Sequence, residues 1–127
     1  METLRDITKA MTSTPSTHPL LGKHELDGFS KILGTRYYRF VSPLGIDGLA
    51  RWTDTQLELL AVHAACPGCG QFKAFIEEAK RHFATICVWH IGNAALDAAL
   101  KRYGFTPESV VDEFGEHLTG LRWDKKP

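Results

Sequence analysis

The 127-residue sequence lacks several features that would assign a protein to a class at once. Its charges balance, with 15 Lys and Arg against 15 Asp and Glu, so the composition favours neither nucleic acid nor a membrane surface as a partner. No apolar run approaches the roughly 20 residues that span a bilayer. Residues 1–15 lack the apolar core of a signal peptide, and we therefore expect a cytoplasmic location.

Common catalytic motifs and a disulfide framework are also missing. The chain has no Gly-x-Ser-x-Gly, no Walker loop and no HExxH pair of metal-binding histidines. Three cysteines make an odd count, which argues against a set of structural disulfides. The apolar content of 43% is that of a globular chain with one core. We predict a single domain over residues 24–127, preceded by an N-terminal arm at residues 1–23.

Hydrophobic spacing predicts an alternation of strands and helices. Apolar residues in the segment 24–33 recur at helical spacing, and the following segments 37–41 and 48–53 are typical of a β-hairpin. Further along, we predict a buried strand at 57–63, a helix at 71–83, a strand at 84–91, a helix at 93–103 and a hairpin at 110–114 and 117–123. This order predicts a mixed α/β (α+β) domain with helices packed on a mostly antiparallel sheet.

The segment CVWHIGNAALDAALKRYGF, residues 87–105, resembles the acetyltransferases of the GNAT superfamily. In that family a strand ends in a glycine-rich turn that opens a helix. The next helix begins at an Asn and ends at Gly-Phe, as Asn93, Gly104 and Phe105 do here. The resemblance covers roughly residues 57–123 and is closest to small GNAT-like proteins of tailed phages. It implies a GNAT-like fold and a location in the host cytoplasm or in a virion.

The resemblance also implies a binding site for acetyl-CoA. A helix N-terminus offers unpaired N–H groups and a positive dipole end to the pyrophosphate. The pantetheine arm would lie along the strand Thr85–Trp89 and the start of the following helix. The residues assigned to this site are Gly68, Cys69, Gly70 and Gln71 for the pyrophosphate, with Cys87, Trp89 and Asn93 along the arm.

Acyl transfer further needs a base that takes a proton from the amine acceptor. His63 lies at the end of the strand that corresponds to the fourth strand of the GNAT family, and an imidazole can take a proton from an ammonium group, so it is the first candidate, with Glu58 a weaker one. Tyr103 is a weaker candidate for a catalytic role. The expected activity is N-acyl transfer from acetyl-CoA to an amine, and oligomer formation is left open.

Two departures from the family pattern favour a different interpretation. Phe72 stands where the glycine-rich turn has a small residue, and Leu100 stands where many members carry the Tyr that protonates the leaving thiolate. A chain that has lost acyl transfer would be a pseudoenzyme with a structural or binding role, such as a virion component or an inhibitor of a host factor. Its partner would then be a protein.

The cysteines permit two more interpretations. Cys66-x-x-Cys69 followed by Cys87-x-x-His90 has the ligand number and spacing of a Cys3His zinc site. The sequence Cys66-Pro-Gly-Cys69 before a helix also resembles thioredoxin-like oxidoreductases, in which the helix N-terminus lowers the pKa of the first thiol. Both interpretations stay open beside acyl transfer.

Overall fold

A computed structural model describes residues 16–32, 35–89, 91–111, 115 and 117–126. Within these residues the chain forms one eight-stranded sheet and two helices. The strands are β1 Ser16–His18, β2 Gly22–Ile32, β3 Thr35–Val41, β4 Ile46–Trp52, β5 Gln56–Ala64, β6 Thr85–Trp89, β7 Thr106–Val111 and β8 His117–Asp124. The helices are α1 Gln71–His82 and α2 Ala94–Arg102. Neither helix combines the length and apolar character needed to cross a membrane.

The strands follow the order β1-β2-β3-β4-β5-β6-β8-β7 across the sheet. The first five pair with their sequence neighbours as an antiparallel meander, which short turns can connect. β6 then pairs with β5 in parallel, which requires the crossover that α1 provides. Because β5 and β6 point the same way, α1 and α2 both begin at the same edge of the sheet.

The expected GNAT-like α/β fold with helices flanking the sheet is wrong. The described chain is β-rich, with one large sheet and helices of only 12 and 9 residues. The predicted helix at 24–33 is instead part of the 11-residue strand β2. β2 pairs with β1 on one side and β3 on the other, and these partners override the local helical spacing. Within the predicted N-terminal arm, residues 16–18 form strand β1.

Other predicted elements are confirmed within a few residues. The hairpin at 37–53 is β3 and β4, and the buried strand is β5. The final hairpin is β7 and β8, but β7 begins four residues earlier than predicted, and residues 112–114 of the predicted strand lie outside the described residues. Both helices lie where their apolar spacing placed them. Asn93 caps α2 as predicted, because its side-chain oxygen accepts from the N–H groups of Ala95 and Leu96. Residues 1–15 of the predicted arm at 1–23 lie outside the described residues.

The main core lies between one face of the sheet and the two helices. Helical spacing brings Phe75, Ile76 and Ala79 to one side of α1, and Leu100 of α2 is fully buried beside them. On the sheet, alternate residues of β5 and β6 face these helices. The strand residues in this core include Phe40, Ile46, Ala50, Leu57, Leu59, Ile86, Val88 and Leu121. Each fully buried large aliphatic or aromatic side chain stabilises the fold by about 1.5–3 kcal/mol.

The second face of the sheet carries a smaller apolar cluster and a buried ion pair. Cys87, Trp89 and Leu118 form the cluster. Next to it, the Glu58 carboxylate accepts hydrogen bonds from Arg51 Nε and, at 3.1 Å, from Trp89 Nε1. These donors compensate for the burial of a carboxylate that is almost removed from solvent.

Candidate functional site

The carboxyl ends of the parallel strands β5 and β6 border a cleft. In the described residues their pairing runs from Gln56 opposite Thr85 to Leu60 opposite Trp89, where β6 ends. The next residue, Ala61, has a φ of 53°, and the register between β4 and β5 shifts at this point. Such a bulge bends the strand that contains it. The cleft lies between this end of β5 and residues 91–93, which follow β6.

Two adjoining cavities fill this cleft and extend it towards the helices. The smaller, about 260 Å³, lies between the ends of β5 and β6. The larger, about 440 Å³, lies between the start of α1 and the side of α2. The two cavities share Val62, His63, Asn93 and Leu96, so we treat them as one groove. Their combined size is within the range of small-molecule and cofactor sites.

The N-terminus of α1 opens into the groove without a side-chain cap among the described residues. Its N-cap residue is Gly70, which has a φ of 79° and no side chain to accept from the first turn. The first turn contains no acidic residue and does contain Lys73, which lines the groove. In contrast, α2 has a side-chain cap, because Asn93 Oδ1 accepts from Ala95 N–H at 2.9 Å. The groove therefore favours an anion at the end of α1.

Residues 66–70, which we call the glycine loop, form the wall of the groove before α1. All five are exposed. Gly68 and Gly70 have φ angles of 81° and 79°, and a Cβ at either would have no atom within 4 Å. Their backbone is therefore accessible to a ligand. Cys66 and Cys69 form a disulfide across the loop, with their Cα atoms 5.6 Å apart.

His63 lies at the rim of both cavities and is 75% exposed. Its Nδ1 is 3.7 Å from Oδ1 of Asp47, the residue directly opposite on β4. Asp47 was not identified from the sequence, because its position beside His63 depends on the register across the bulge. No local pattern in the sequence encodes that register.

Most residues that the sequence assigned to a ligand site lie on the groove. Gly68, Gly70, Gln71 and Tyr103 line the larger cavity. Trp89 lines the smaller one, and Asn93 lines both. Tyr103 is half-buried, and its backbone carbonyl accepts from Lys80 Nζ. Gln71 bridges to the glycine loop, because its Oε1 accepts from Cys66 N–H at 2.7 Å.

Three of the sequence-assigned residues do not line the groove. Cys69 is exposed in the glycine loop but belongs to neither cavity. Cys87 is buried on the second face, where burial and then the charge of Glu58 raise the pKa of its thiol to about 11. Glu58, the weaker candidate base, is engaged there by Arg51 and Trp89.

Leu100 and Phe72, which depart from the GNAT pattern and favour a pseudoenzyme, both pack against the main core. Leu100 is fully buried in the main core, so the groove receives no polar group from this position. Phe72 is half-buried in the first turn of α1, with its ring 6.3 Å from that of Phe75. It packs partly against the core and also lines the larger cavity.

The donor set proposed for zinc does not come together in the described part of the chain. Cys66 and Cys69 share a disulfide, so neither offers the thiolate that zinc requires. Cys87 is buried, and His90 lies outside the described residues. Among the residues described, no three His, Cys, Asp or Glu side chains are grouped to hold a metal ion.

Comparison of the chain with protein-family models, with curated proteins and with solved structures gives no match. The function is therefore argued from the groove itself. Its distinguishing features are an anion-favouring helix end, an exposed glycine loop and a cleft between two parallel strands.

Proposed function

We propose that the groove binds an acyl-coenzyme A and that the protein transfers its acyl group to an amine. One observation carries the proposal: the uncapped start of α1, the glycine loop and the cleft between β5 and β6 form one continuous groove. Acyl-coenzyme A is an elongated thioester with an anionic pyrophosphate, an amide-containing arm and a reactive carbonyl group. Each of these parts has a chemically suitable region in the groove.

The pyrophosphate fits the region around the N-terminus of α1. The N–H groups of Gln71, Phe72 and Lys73 are the first-turn donors, since the first backbone bond of the helix is from Ala74 N–H to Gly70. Lys73 adds a positive charge. The exposed backbone at Gly68 and Gly70 admits close approach of phosphate oxygens. A charge at a helix end is stabilised by about 0.3–1 kcal/mol per interaction at an exposed site.

The amide-containing arm fits the cleft between the strand ends. The described pairing ends at Leu60 and Trp89, and the smaller cavity lies beyond it. Backbone groups at a strand edge need hydrogen-bond partners, and an extended ligand with amides can provide them as an added strand does. Val62, Val88 and Leu96 supply apolar surface along the same cleft.

His63 is the group that would accept the proton of the amine. A neutral imidazole removes a proton from the ammonium form, and the freed nitrogen attacks the thioester carbonyl carbon. A carbon–nitrogen bond forms, the carbon–sulfur bond breaks, and the thiolate leaves and takes up a proton. Asp47, whose Oδ1 is 3.7 Å from His63 Nδ1, adds a negative charge at the rim that favours a cationic acceptor.

Calorimetric titration of the protein with acetyl-CoA tests the proposal. We expect micromolar binding that disappears in Gly70→Trp, because the indole would occupy the accessible loop backbone. Gly115→Trp is the matched control, since Gly115 also has a φ of 80° and open space around it. It should bind acetyl-CoA as the unchanged protein does. An absence of binding at millimolar ligand would refute the proposal.

Binding without transfer is the second candidate function. Buried Leu100 favours it, because that position offers no hydroxyl group to protonate a leaving thiolate. In that case acetyl-CoA binds, but a panel of amines gives no acylated product with either the unchanged protein or His63→Ala. The protein would then act through a structural or binding role with a protein partner. Product formation that is lost in His63→Ala would favour the enzyme.

A further inference from the structure

The Cys66–Cys69 disulfide lies in the wall of the groove. Cys66, Pro67, Gly68 and Gly70 all line the larger cavity, and every residue of the glycine loop is exposed. A reductant in solution can therefore reach the disulfide. The third cysteine, Cys87, is buried in the sheet and does not compete for it.

Few other bonds maintain the shape of the glycine loop. Among the described residues, Cys69 N–H donates to the Cys66 carbonyl at 3.2 Å, Cys66 N–H donates to Gln71 Oε1 at 2.7 Å, and the Gly70 carbonyl accepts from Ala74 N–H at 3.1 Å. A Cβ at Gly68 would have no atom within 4 Å, so no packed side chain holds this residue in place. Glycine has the widest range of backbone conformations, and the disulfide closes a covalent ring that contains Gly68 and ends one residue before Gly70.

We propose that reduction of the Cys66–Cys69 disulfide weakens ligand binding in the groove, so that binding responds to the thiol redox state. This inference rests on the proposed function. With the disulfide formed, the loop is already ordered before the ligand arrives. Without it, binding must also order the loop, and loss of such preorganisation lowers affinity.

A dithiol supplies the reducing equivalents. One of its thiolates attacks a sulfur of the Cys66–Cys69 bond, which breaks and leaves a mixed disulfide. The second thiol of the reductant then displaces the protein sulfur. Two electrons and two protons pass to the protein, Cys66 and Cys69 become free thiols, and the two sulfurs of the reductant join. Reoxidation by a disulfide of the same class reverses each step.

The test compares acetyl-CoA binding by three forms of the full chain. These are the oxidised protein, the protein reduced with dithiothreitol and then freed of it, and a Cys66→Ser, Cys69→Ser double variant. Acetyl-CoA is the probe because it has no free thiol that could attack the disulfide. We expect affinity about tenfold lower in the reduced and double-variant forms, and restored by reoxidation. Cys87→Ala is the control and should keep the redox response.

Thiol titration gives a readout that is independent of the ligand. With one disulfide and one free cysteine, the denatured oxidised protein should show one reactive thiol, from Cys87. If three thiols react before any reduction, the inference is overturned. Equal affinity in all three forms overturns it too, but leaves the proposed function standing. If no form binds acetyl-CoA, the inference and the proposed function fail together.

Discussion

Replacement of Glu58 should destabilise the protein far more than replacement of an exposed acid. The Glu58 side chain is 11% exposed and that of Arg51 is 19% exposed, so their ion pair lies mostly out of water. Burial alone would lower the pKa of Arg51, but the hydrogen bond and charge of Glu58 are among the interactions that raise it overall. The carboxylate thus stabilises a charge that the surrounding sheet would otherwise disfavour.

The expected loss of stability follows from the two hydrogen bonds that the Glu58 carboxylate accepts, from Arg51 and from Trp89. In Glu58→Ala the Trp89 indole N–H loses its acceptor in a buried position, which costs about 1–3 kcal/mol. Removal of one partner of a buried ion pair costs about 3–5 kcal/mol, and the partial exposure of Arg51 and Glu58 reduces that cost. We therefore expect the free energy of unfolding to fall by about 3 kcal/mol. Glu58→Gln keeps an acceptor oxygen and should lose about half as much.

Urea denaturation followed by tryptophan fluorescence measures these changes. Glu77→Ala is the control, because the Glu77 side chain is 62% exposed and its Oε1 lies 3.9 Å from Lys73 Nζ. Exposed pairs of this kind contribute about 0–1 kcal/mol. If Glu58→Ala destabilises the protein no more than Glu77→Ala does, the buried network on the second face is not a source of stability and the reasoning is refuted.

Two further predictions concern acid sensitivity and the bulge. Burial, and then the charges of His82 and His24, lower the pKa of His18, whose Nδ1 accepts from two backbone N–H groups. Its contribution to stability is complete above the unfolded pKa of about 6.5 and is lost as the pH falls from there towards the folded pKa, and the loss is small because the ring is only partly buried. Denaturation of His18→Asn, which keeps an acceptor but cannot titrate, should show a flatter pH dependence, and an identical slope would exclude His18 as the source. Gly48→Ala should lower the unfolding free energy by about 1–3 kcal/mol, because its Cβ would lie 2.8 Å from the Ala61 carbonyl oxygen. A Cβ at Gly92 would have no atom within 4 Å, so Gly92→Ala should change the unfolding free energy by less than about 0.5 kcal/mol in the same assay. Equal effects of the two substitutions would contradict the close packing at the bulge.

The elements that the sequence predicts correctly are those specified by local signals. The spacing of Phe75, Ile76 and Ala79 defines the buried side of α1 without reference to the rest of the fold. Asn93 and Gly104 mark the ends of α2 through capping chemistry that involves only neighbouring residues. Most of the groove residues are assigned through the resemblance to the GNAT superfamily and not through these local signals.

What the sequence does not predict depends on partners that are distant along the chain. The segment of β2 carries helical spacing, and only its pairing with β1 and β3 makes it a strand. The left-handed residue of the bulge is Ala61, which lacks the usual glycine signal. Glu58 becomes a buried ion pair, and not a catalytic base, because its cross-strand partner in the register is Arg51. The single-sheet architecture follows from such pairings and not from local preference.

The strand order has a consequence for how the protein folds during synthesis. β8, residues His117–Asp124, lies inside the sheet between β6 and β7, although it is the last strand in sequence order among those described. Until the ribosome has released these residues, β6 has only β5 as a neighbour and presents the backbone groups of its other side as an open edge. The nascent chain therefore carries an unpaired hydrophobic strand that its own later residues must cover, and slow translation of this region would prolong the interval in which it can aggregate.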